Sequence, residues 1–328
     1  MKEQHYLEFE KPIIELDRKI KEMKELAVSG SLELSKEIEL LEKKRNRLQK
    51  DVYSKLSRWQ RVQLARHPLR PYCLDLINLI FTDFIELHGD RNFADDKAMV
   101  GGFGKLDEYR IIVVGQQKGR DTKQRQYRNF GMCHPEGYRK ALRLMKLAEK
   151  YNLPIIIFID TPGAFPGVGA EERGQAEAIA RNIMEMAAIE VPIVIVIIGE
   201  GASGGALGIG LGDRIFMMEN SWYSVISPEG CAAILWKSPA DTDPAKLDAN
   251  RKQAAEALKP TAQDLVELKI IDKIIPEPQG GAHLDYQKTA MTIKQEILSA
   301  LNELKEYTAE ELCNKRLEKY RVMGVYKE

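Results

Sequence analysis

Apolar positions along this chain change their spacing, and the change marks a boundary between two kinds of structure. In residues 1–70, Ile13, Leu16, Ile20, Met23 and Ala27 step by three and four. Leu34, Ile38, Leu41, Leu48 and Val52 continue the rhythm, with Arg45 interrupting it. That is the spacing of one face of an amphipathic helix. Ser29-Gly30-Ser31 falls between the two series, so the pattern predicts an αα-hairpin in a segment rich in Lys, Glu and Arg. Such an arm either stands as a solvated coiled coil or grips a partner through its apolar seam.

Beyond residue 70 the texture becomes α/β. Ile111-Ile112-Val113-Val114, Ile155-Ile156-Ile157-Phe158-Ile159 and Ile193-Val194-Ile195-Val196-Ile197-Ile198 are continuous apolar runs rich in β-branched residues. Continuous rather than alternating apolarity predicts strands covered on both faces, as in a sheet packed between helices. One predicted helix opens at Pro135-Glu136 and runs to about Tyr151; another opens at Glu171-Glu172 and runs to about Ile189. The acidic residues at those starts suit the positive end of a helix dipole. Further helices are predicted from Thr261 to Leu268 and from His283 to Tyr307, with Pro276 and Pro278 breaking the chain between them. The charged segment after Thr308 is expected to be peripheral.

Composition narrows the function classes. The 328 residues suit two domains, or one large domain with an appendage. The 49 basic and 49 acidic side chains balance, which removes any bulk argument for nucleic-acid binding. With 44% hydrophobic and 30% charged residues, a sizeable core is expected. Cys73, Cys133, Cys231 and Cys313 form no C-x-x-C pair, so neither a metal site nor a disulfide framework is expected in this chain. The charged start lacks the apolar core of a secretory signal, and the longest apolar run, residues 191–198, is far short of the ~20 residues of a membrane span. The expected setting is soluble, reducing and cytoplasmic.

Two glycine-rich turns follow the second and third apolar strands. One is Asp160-Thr161-Pro162-Gly163-Ala164-Phe165-Pro166-Gly167-Val168-Gly169, and the other is Gly199-Glu200-Gly201-Ala202-Ser203-Gly204-Gly205-Ala206-Leu207-Gly208. Where a strand gives way to a helix, unpaired backbone N–H groups converge and glycine lets a ligand approach the main chain. The second turn fits three templates. Gly199, Gly201 and Gly204, with Glu219 about twenty residues on, match a dinucleotide fingerprint. Gly201, Ser203 and Gly205 match a nucleophile elbow, with His283 downstream. Gly204-Gly205 also offers paired amide donors to an oxyanion. Asp160-Thr161-Pro162-Gly163 looks like a GTPase switch loop, but the chain has no G-x-x-x-x-G-K-[ST], which argues against nucleotide hydrolysis.

Several strings occur in a specific order. Asn129-Phe130-Gly131-Met132 and Pro135-Glu136-Gly137-Tyr138-Arg139-Lys140-Ala141 precede the 159–175 run and the 199–208 run, and Tyr223-Ser224-Val225-Ile226-Ser227-Pro228-Glu229-Gly230-Cys231 and Gly280-Gly281-Ala282-His283 follow. Together they resemble the carboxyltransferase alpha-subunit family of bacterial acetyl-CoA carboxylase, from Leu64-Ala65-Arg66-His67-Pro68 to about Arg316. The resemblance implies an α/β, crotonase-like (ClpP/crotonase) superhelix of repeated ββα units with an N-terminal helical hairpin. The arm would be residues 1–70, for subunit contacts; the carboxyltransferase domain 71–316; and the peripheral tail 317–328. It implies transfer of a carboxyl group from carboxybiotin, borne on a biotin carboxyl carrier protein, to acetyl-CoA. The product is malonyl-CoA, in the first committed step of fatty acid synthesis by an ATP-dependent complex. Implied partners are a beta subunit of the same fold carrying a zinc ribbon, in an α2β2 assembly, and biotin carboxylase.

By the same resemblance Gly204 and Gly205 form the hole for the biotin ureido oxyanion. Gly163, Gly167 and Val168, with Gly201 and Ser203, are candidates for the biotin side. Lys118, Arg120, Lys123, Arg125 and Arg128 cluster after the first apolar strand, either as a solvated loop or as contacts to CoA phosphates or the transferring carboxylate. Ser203 reads as a helix cap; the competing reading is a serine hydrolase or peptidase using it as nucleophile. His134 beside Cys133 supplies too few ligands for a metal. Ala202, where many members carry glycine, adds a methyl beside the proposed hole.

Overall fold

The computed structural model describes residues 6–27, 34–236 and 243–324. Its centre is one sheet built from eight strands: β1 (Thr82–Glu86), β2 (Met99–Leu106), β3 (Tyr109–Gln116), β4 (Ile155–Thr161), β5 (Ile193–Ala202), β6 (Arg214–Met218), β7 (Trp222–Ser224) and β8 (Lys273–Ile275). The order is β1-β2-β3-β4-β5-β6-β8, with β7 paired to the far end of β5. β1, β2 and β3 run antiparallel as a meander; from β3 onward every pairing along the path is parallel.

Every residue of β4 and β5 is buried. Successive side chains point to opposite faces, and the continuous apolar runs are two interleaved cores. Ile155, Ile157, Ile159, Ile193, Ile195 and Ile197 share one face with Tyr138, Leu144 and Met145 of the helix Pro135–Lys150. Ile156, Phe158, Val194, Val196 and Ile198 share the other with Ile293, Ile297 and Leu301 of the helix Tyr286–Leu304. β2 is less apparent in the sequence because it carries three glycines. At Gly102 a Cβ would lie 1.9 Å from the Ile85 carbonyl oxygen, so only glycine lets β1 pair there.

The predicted arm is present as the helices Lys11–Ala27 and Leu34–Ser54. Ion pairs Lys24–Glu42 (2.6 Å) and Arg45–Asp17 (3.2 Å) show them antiparallel, and Ile13, Leu16 and Ile20 are buried. The expected turn at 29–31 lies outside the described residues. The arm is shorter than residues 1–70. A third helix, Arg58–Ala65, places Trp59, Val62 and Ala65 in the main core, so this stretch packs as part of the body.

Two further expectations are corrected. The single helix predicted from Glu171 is two, Val168–Glu172 and Gln175–Ala187, because Gly174 between them adopts φ +83°. The segment after Thr308 is not peripheral. It forms the helix Ala309–Arg321, whose Arg316 is 1% exposed. Its guanidinium is paired with Asp213 at 2.8 and 2.9 Å and also donates to the carbonyls of Met186, Ile189 and Val191. Tyr320 and Lys319 continue the contact, the tyrosine oxygen accepting from the Gly212 N–H at 2.9 Å and the ammonium donating to the Asp213 carbonyl at 3.2 Å.

Candidate active site

Both glycine-rich turns leave the C-terminal ends of adjacent parallel strands, β4 and β5. This is the edge of an α/β sheet where ligands bind. The turns touch through their backbones: a Cβ on Gly205 would lie 2.3 Å from the Gly163 carbonyl carbon and 2.5 Å from the Ala164 nitrogen. Gly163 has φ +148°, and Thr161 Oγ1 fastens the bend, accepting from the Gly163 N–H at 3.1 Å and donating to the Gly131 carbonyl at 2.6 Å. The Phe165 N–H reaches the Cys133 carbonyl at 3.0 Å, and the Phe165 ring stacks on His134 with centroids 4.0 Å apart.

On the second turn a five-residue helix, Ser203–Leu207, begins abruptly, with Ser203 at φ +56°. The N–H groups of a first helical turn have no partner within the helix, and Gly204 and Gly205 occupy that turn. Gly204 lines a predominantly apolar groove of about 570 Å³ with Ser203, Leu207, Tyr223, Val225 and Leu265. A Cβ on Gly204 would meet only Ile179 Cδ1, at 3.5 Å, whereas Gly205 is buried against the neighbouring turn.

The remaining glycines of the candidate set have other duties. Gly201 lies within β5 under the Tyr223 ring, 2.8 Å from where its Cβ would be. Gly167 precedes the helix Val168–Glu172 and packs on Phe165, while Val168 is 73% exposed beyond it. Ser203 does not cap its helix. Ala202 is the N-cap residue, the Ser203 hydroxyl is exposed, and it makes no hydrogen bond among the described residues. A hydrolytic relay is not assembled either, since His283 stacks on His67 with centroids 4.0 Å apart. Glu219 serves the sheet end, its carboxylate accepting from the Glu277 N–H at 3.2 Å, rather than standing free for a ribose.

Behind the turns lies a charge network that sequence reasoning did not assemble. Lys118 Nζ sits 2.6 Å from both Asp160 Oδ1 and Glu200 Oε2. Arg66 pairs with Glu200 at 2.6 Å and with Glu229, and its guanidinium lies over the Trp222 ring. Burial alone would raise the Glu200 carboxyl, but Lys118 and Arg66 outweigh it and hold it at about 2. At Asp160 burial wins over Lys118, and the carboxyl sits above the ordinary aspartate range. Burial would lower the Lys118 ammonium, yet the two carboxylates push it above the ordinary lysine range. Gln116, two residues before Lys118, donates to the Gly205 carbonyl at 2.7 Å and accepts from the Asp160 N–H at 3.1 Å.

The basic loop is therefore largely engaged. Lys118 belongs to the network, and Arg120 pairs with Asp75 and lies over the Tyr72 ring. Arg128 donates to the Lys97 carbonyl at 2.7 Å. Lys123 and Arg125 are exposed. Arg66, Tyr72, Lys118, Arg125, Phe130 and Glu200 line a polar recess of about 220 Å³. Among the described residues no cluster of His, Cys, Asp or Glu could hold a metal, and no helix is long and apolar enough to cross a membrane. The His134 ring faces Asn129 Nδ2 at 3.1 Å.

The fold is the crotonase-like fold of carboxyltransferases. Transcarboxylase 12S superposes with a TM-score of 0.57 at 18% identity, over 71% of this chain and 41% of that one. The beta subunit of geranyl-CoA carboxylase from P. aeruginosa gives 0.54 at 18%, over 79% and 46%. The family description "Acetyl co-enzyme A carboxylase carboxyltransferase-like" matches residues 6–324. Two relatives described as acetyl-coenzyme A carboxylase carboxyl transferase subunit alpha are similar over nearly the full length. That of Chlorobium luteolum is 57% identical, over 98% of this chain and 97% of its own. That of Geobacter metallireducens is 56% identical over 100% of both. The chain belongs to the acetyl-CoA carboxylase carboxyltransferase alpha-subunit family.

Proposed function

We propose that this chain is the alpha half of a cytoplasmic acetyl-CoA carboxylase carboxyltransferase, moving a carboxyl group from carboxybiotin on a carrier protein to acetyl-CoA to form malonyl-CoA. The observation that carries the reading, beside family membership, is the backbone contact of Gly163 with Gly205, which leaves Gly204 open at the end of an apolar groove. The open Cβ position at Gly204 and the predominantly apolar lining suit a small ring. Carboxybiotin supplies the carboxyl group and, once that is lost, a ring nitrogen able to take the methyl proton of the acyl group. Gly204 and Gly205 donate their amide N–H groups to the oxygen on which charge builds, and one such preorganised donor contributes about 3–4 kcal/mol.

No side chain of this chain acts as base. The carboxylates behind the turns, Asp160 and Glu200, are committed to Lys118, and among the described residues the Ser203 hydroxyl makes no hydrogen bond to a histidine. The acyl side of the site falls to a zinc-bearing beta subunit in an α2β2 assembly, with biotin carboxylase recharging the carrier. Of the basic loop, exposed Lys123 is best placed to meet CoA phosphates; Arg125 donates to the Gly119 carbonyl at 3.4 Å, and Lys118, Arg120 and Arg128 would likewise each have to give up a present partner. The test is co-expression with the beta subunit and measurement of carboxyl transfer between malonyl-CoA and free biotin. Activity is expected only in the complex. Gly204→Val, which drives two methyl groups into the groove, should abolish transfer and leave assembly intact; full activity in that variant would overturn the assignment.

A further inference from the structure

The end of β3 and the residues just beyond it touch both glycine-rich turns. Gln116 and Lys118 are two residues apart and reach toward the same pair of strand ends. Gln116 joins the Asp160 N–H to the Gly205 carbonyl, at 3.1 and 2.7 Å. Lys118 joins the Asp160 and Glu200 carboxylates, at 2.6 Å each. Asp160 also accepts from the Glu200 N–H at 3.0 Å. All four side chains are nearly or wholly enclosed: Gln116 is 0% exposed, Asp160 2% and Glu200 6%, and the Lys118 side chain 12%. Two buried carboxylates facing each other repel strongly unless a cation lies between them.

Resting on the carboxyltransferase reading above, we propose that Gln116 and Lys118 are positioning residues, a two-rung clamp that sets the spacing of the two turns and so the aim of the Gly204 and Gly205 amides. Lys118 does not touch substrate. It holds β4 and β5 together where their turns begin, three residues before Gly163 and four before Gly204. The charged or titratable groups facing Asp160 and Glu200 come from several elements. They are Lys118 beyond β3, Arg66 after the helix Arg58–Ala65, Glu229 on the helix Pro228–Leu235, and Tyr72 and Cys73 at the start of the helix Cys73–Ile80. Arg125 stands further out at the recess. Without Lys118, Arg66 alone remains against Asp160 and Glu200, and one carboxyl must take up a proton for the strands to stay close.

The test uses the complex with the beta subunit. Lys118→Met should lower kcat about 10²-fold, the effect of displacing a reacting geometry by about 1 Å, with KM for acetyl-CoA and for biotin unchanged. Its kcat should fall further as pH rises, because the proton shared by the carboxyls is lost. Adding Asp160→Asn removes the repulsion, and an amide there can donate to Glu200, so the double variant should recover most of kcat and lose the new pH dependence. Gln116→Glu, which keeps shape but loses the donor to Gly205, should lower kcat and not KM. Wild-type kcat in Lys118→Met overturns the clamp. So does a rise in KM for acetyl-CoA alone, which would make Lys118 a substrate contact, or a failure of Asp160→Asn to restore an assembled Lys118→Met complex. Should Lys118→Met not assemble, unaltered kcat in Gln116→Glu overturns the proposal by itself. Absence of transfer in the wild-type complex would instead refute the functional reading.

Discussion

Gly205→Ala and Gly204→Ala should behave oppositely, although the positions are adjacent. A methyl on Gly205 falls 2.3 Å from the Gly163 carbonyl carbon. Carbon atoms in contact rest about 3.5–4.0 Å apart, so one turn must retreat by about 1.2 Å or more. Both contacting atoms are backbone, and no rotamer change relieves the overlap. Overpacking of this kind costs about 1–3 kcal/mol, and the better helix propensity of alanine returns about 1 kcal/mol. The net loss of up to about 2 kcal/mol corresponds to a Tm lower by up to roughly 8 °C. The same retreat displaces the amides, and transfer should fall about 10²-fold. A methyl on Gly204 meets only Ile179 Cδ1 at 3.5 Å, so Gly204→Ala should melt at or slightly above the wild-type temperature. Thermal melts and transfer assays on both complexes decide the matter. Wild-type Tm together with wild-type transfer in Gly205→Ala would refute the argument that the two turns are in backbone contact.

Further outcomes follow from the buried charges. Glu200 sits at about 2 in the folded chain against an ordinary 4.5, so its ion pairs stabilise by about 3 kcal/mol above pH ~4.5, and this is lost as pH falls toward 2. The stability gap between wild type and Glu200→Gln, read from melts at successive pH values, should therefore narrow as the solution is acidified through that window. Arg316→Met leaves Asp213 buried without its cation and should destabilise by about 3–5 kcal/mol. Asp213→Asn in the same chain should cost less than the two single changes added, as a double-mutant cycle in denaturant will show. Ser203→Ala should retain carboxyl transfer, and the wild-type chain should not be labelled by a fluorophosphonate; labelling at Ser203 would revive a hydrolase.

What the sequence made legible follows from how local each signal is. β3, β4 and β5 stand out because burial on both faces demands an unbroken apolar run, and the two turns stand out because close backbone approach demands glycine. β2 hides for the same reason, since its glycines dilute the apolar signal. The buried ion pairs of Arg316 and Lys118 are not legible in the sequence because charge there signals solvent. Their partners lie 103 residues away at Asp213, and 42 and 82 residues away at Asp160 and Glu200, so only the folded chain shows them to be internal. Gln116 carried no signal at all: a lone glutamine at a strand end is unremarkable until the carbonyl it serves is brought beside it. The family resemblance supplied the fold class, the reaction and the glycine pair, yet the helix after Thr308 escaped it, because resemblance names motifs and not what supports them.

The backbone contact between Gly163 and Gly205 has a practical consequence for anyone redesigning this enzyme. Neither turn has a shape independent of the other, and swapping residues 160–169 for the equivalent stretch of another carboxyltransferase would leave a mismatched seam. Chimeras should tolerate the exchange only when 199–208 is transplanted with it, as a single matched insert.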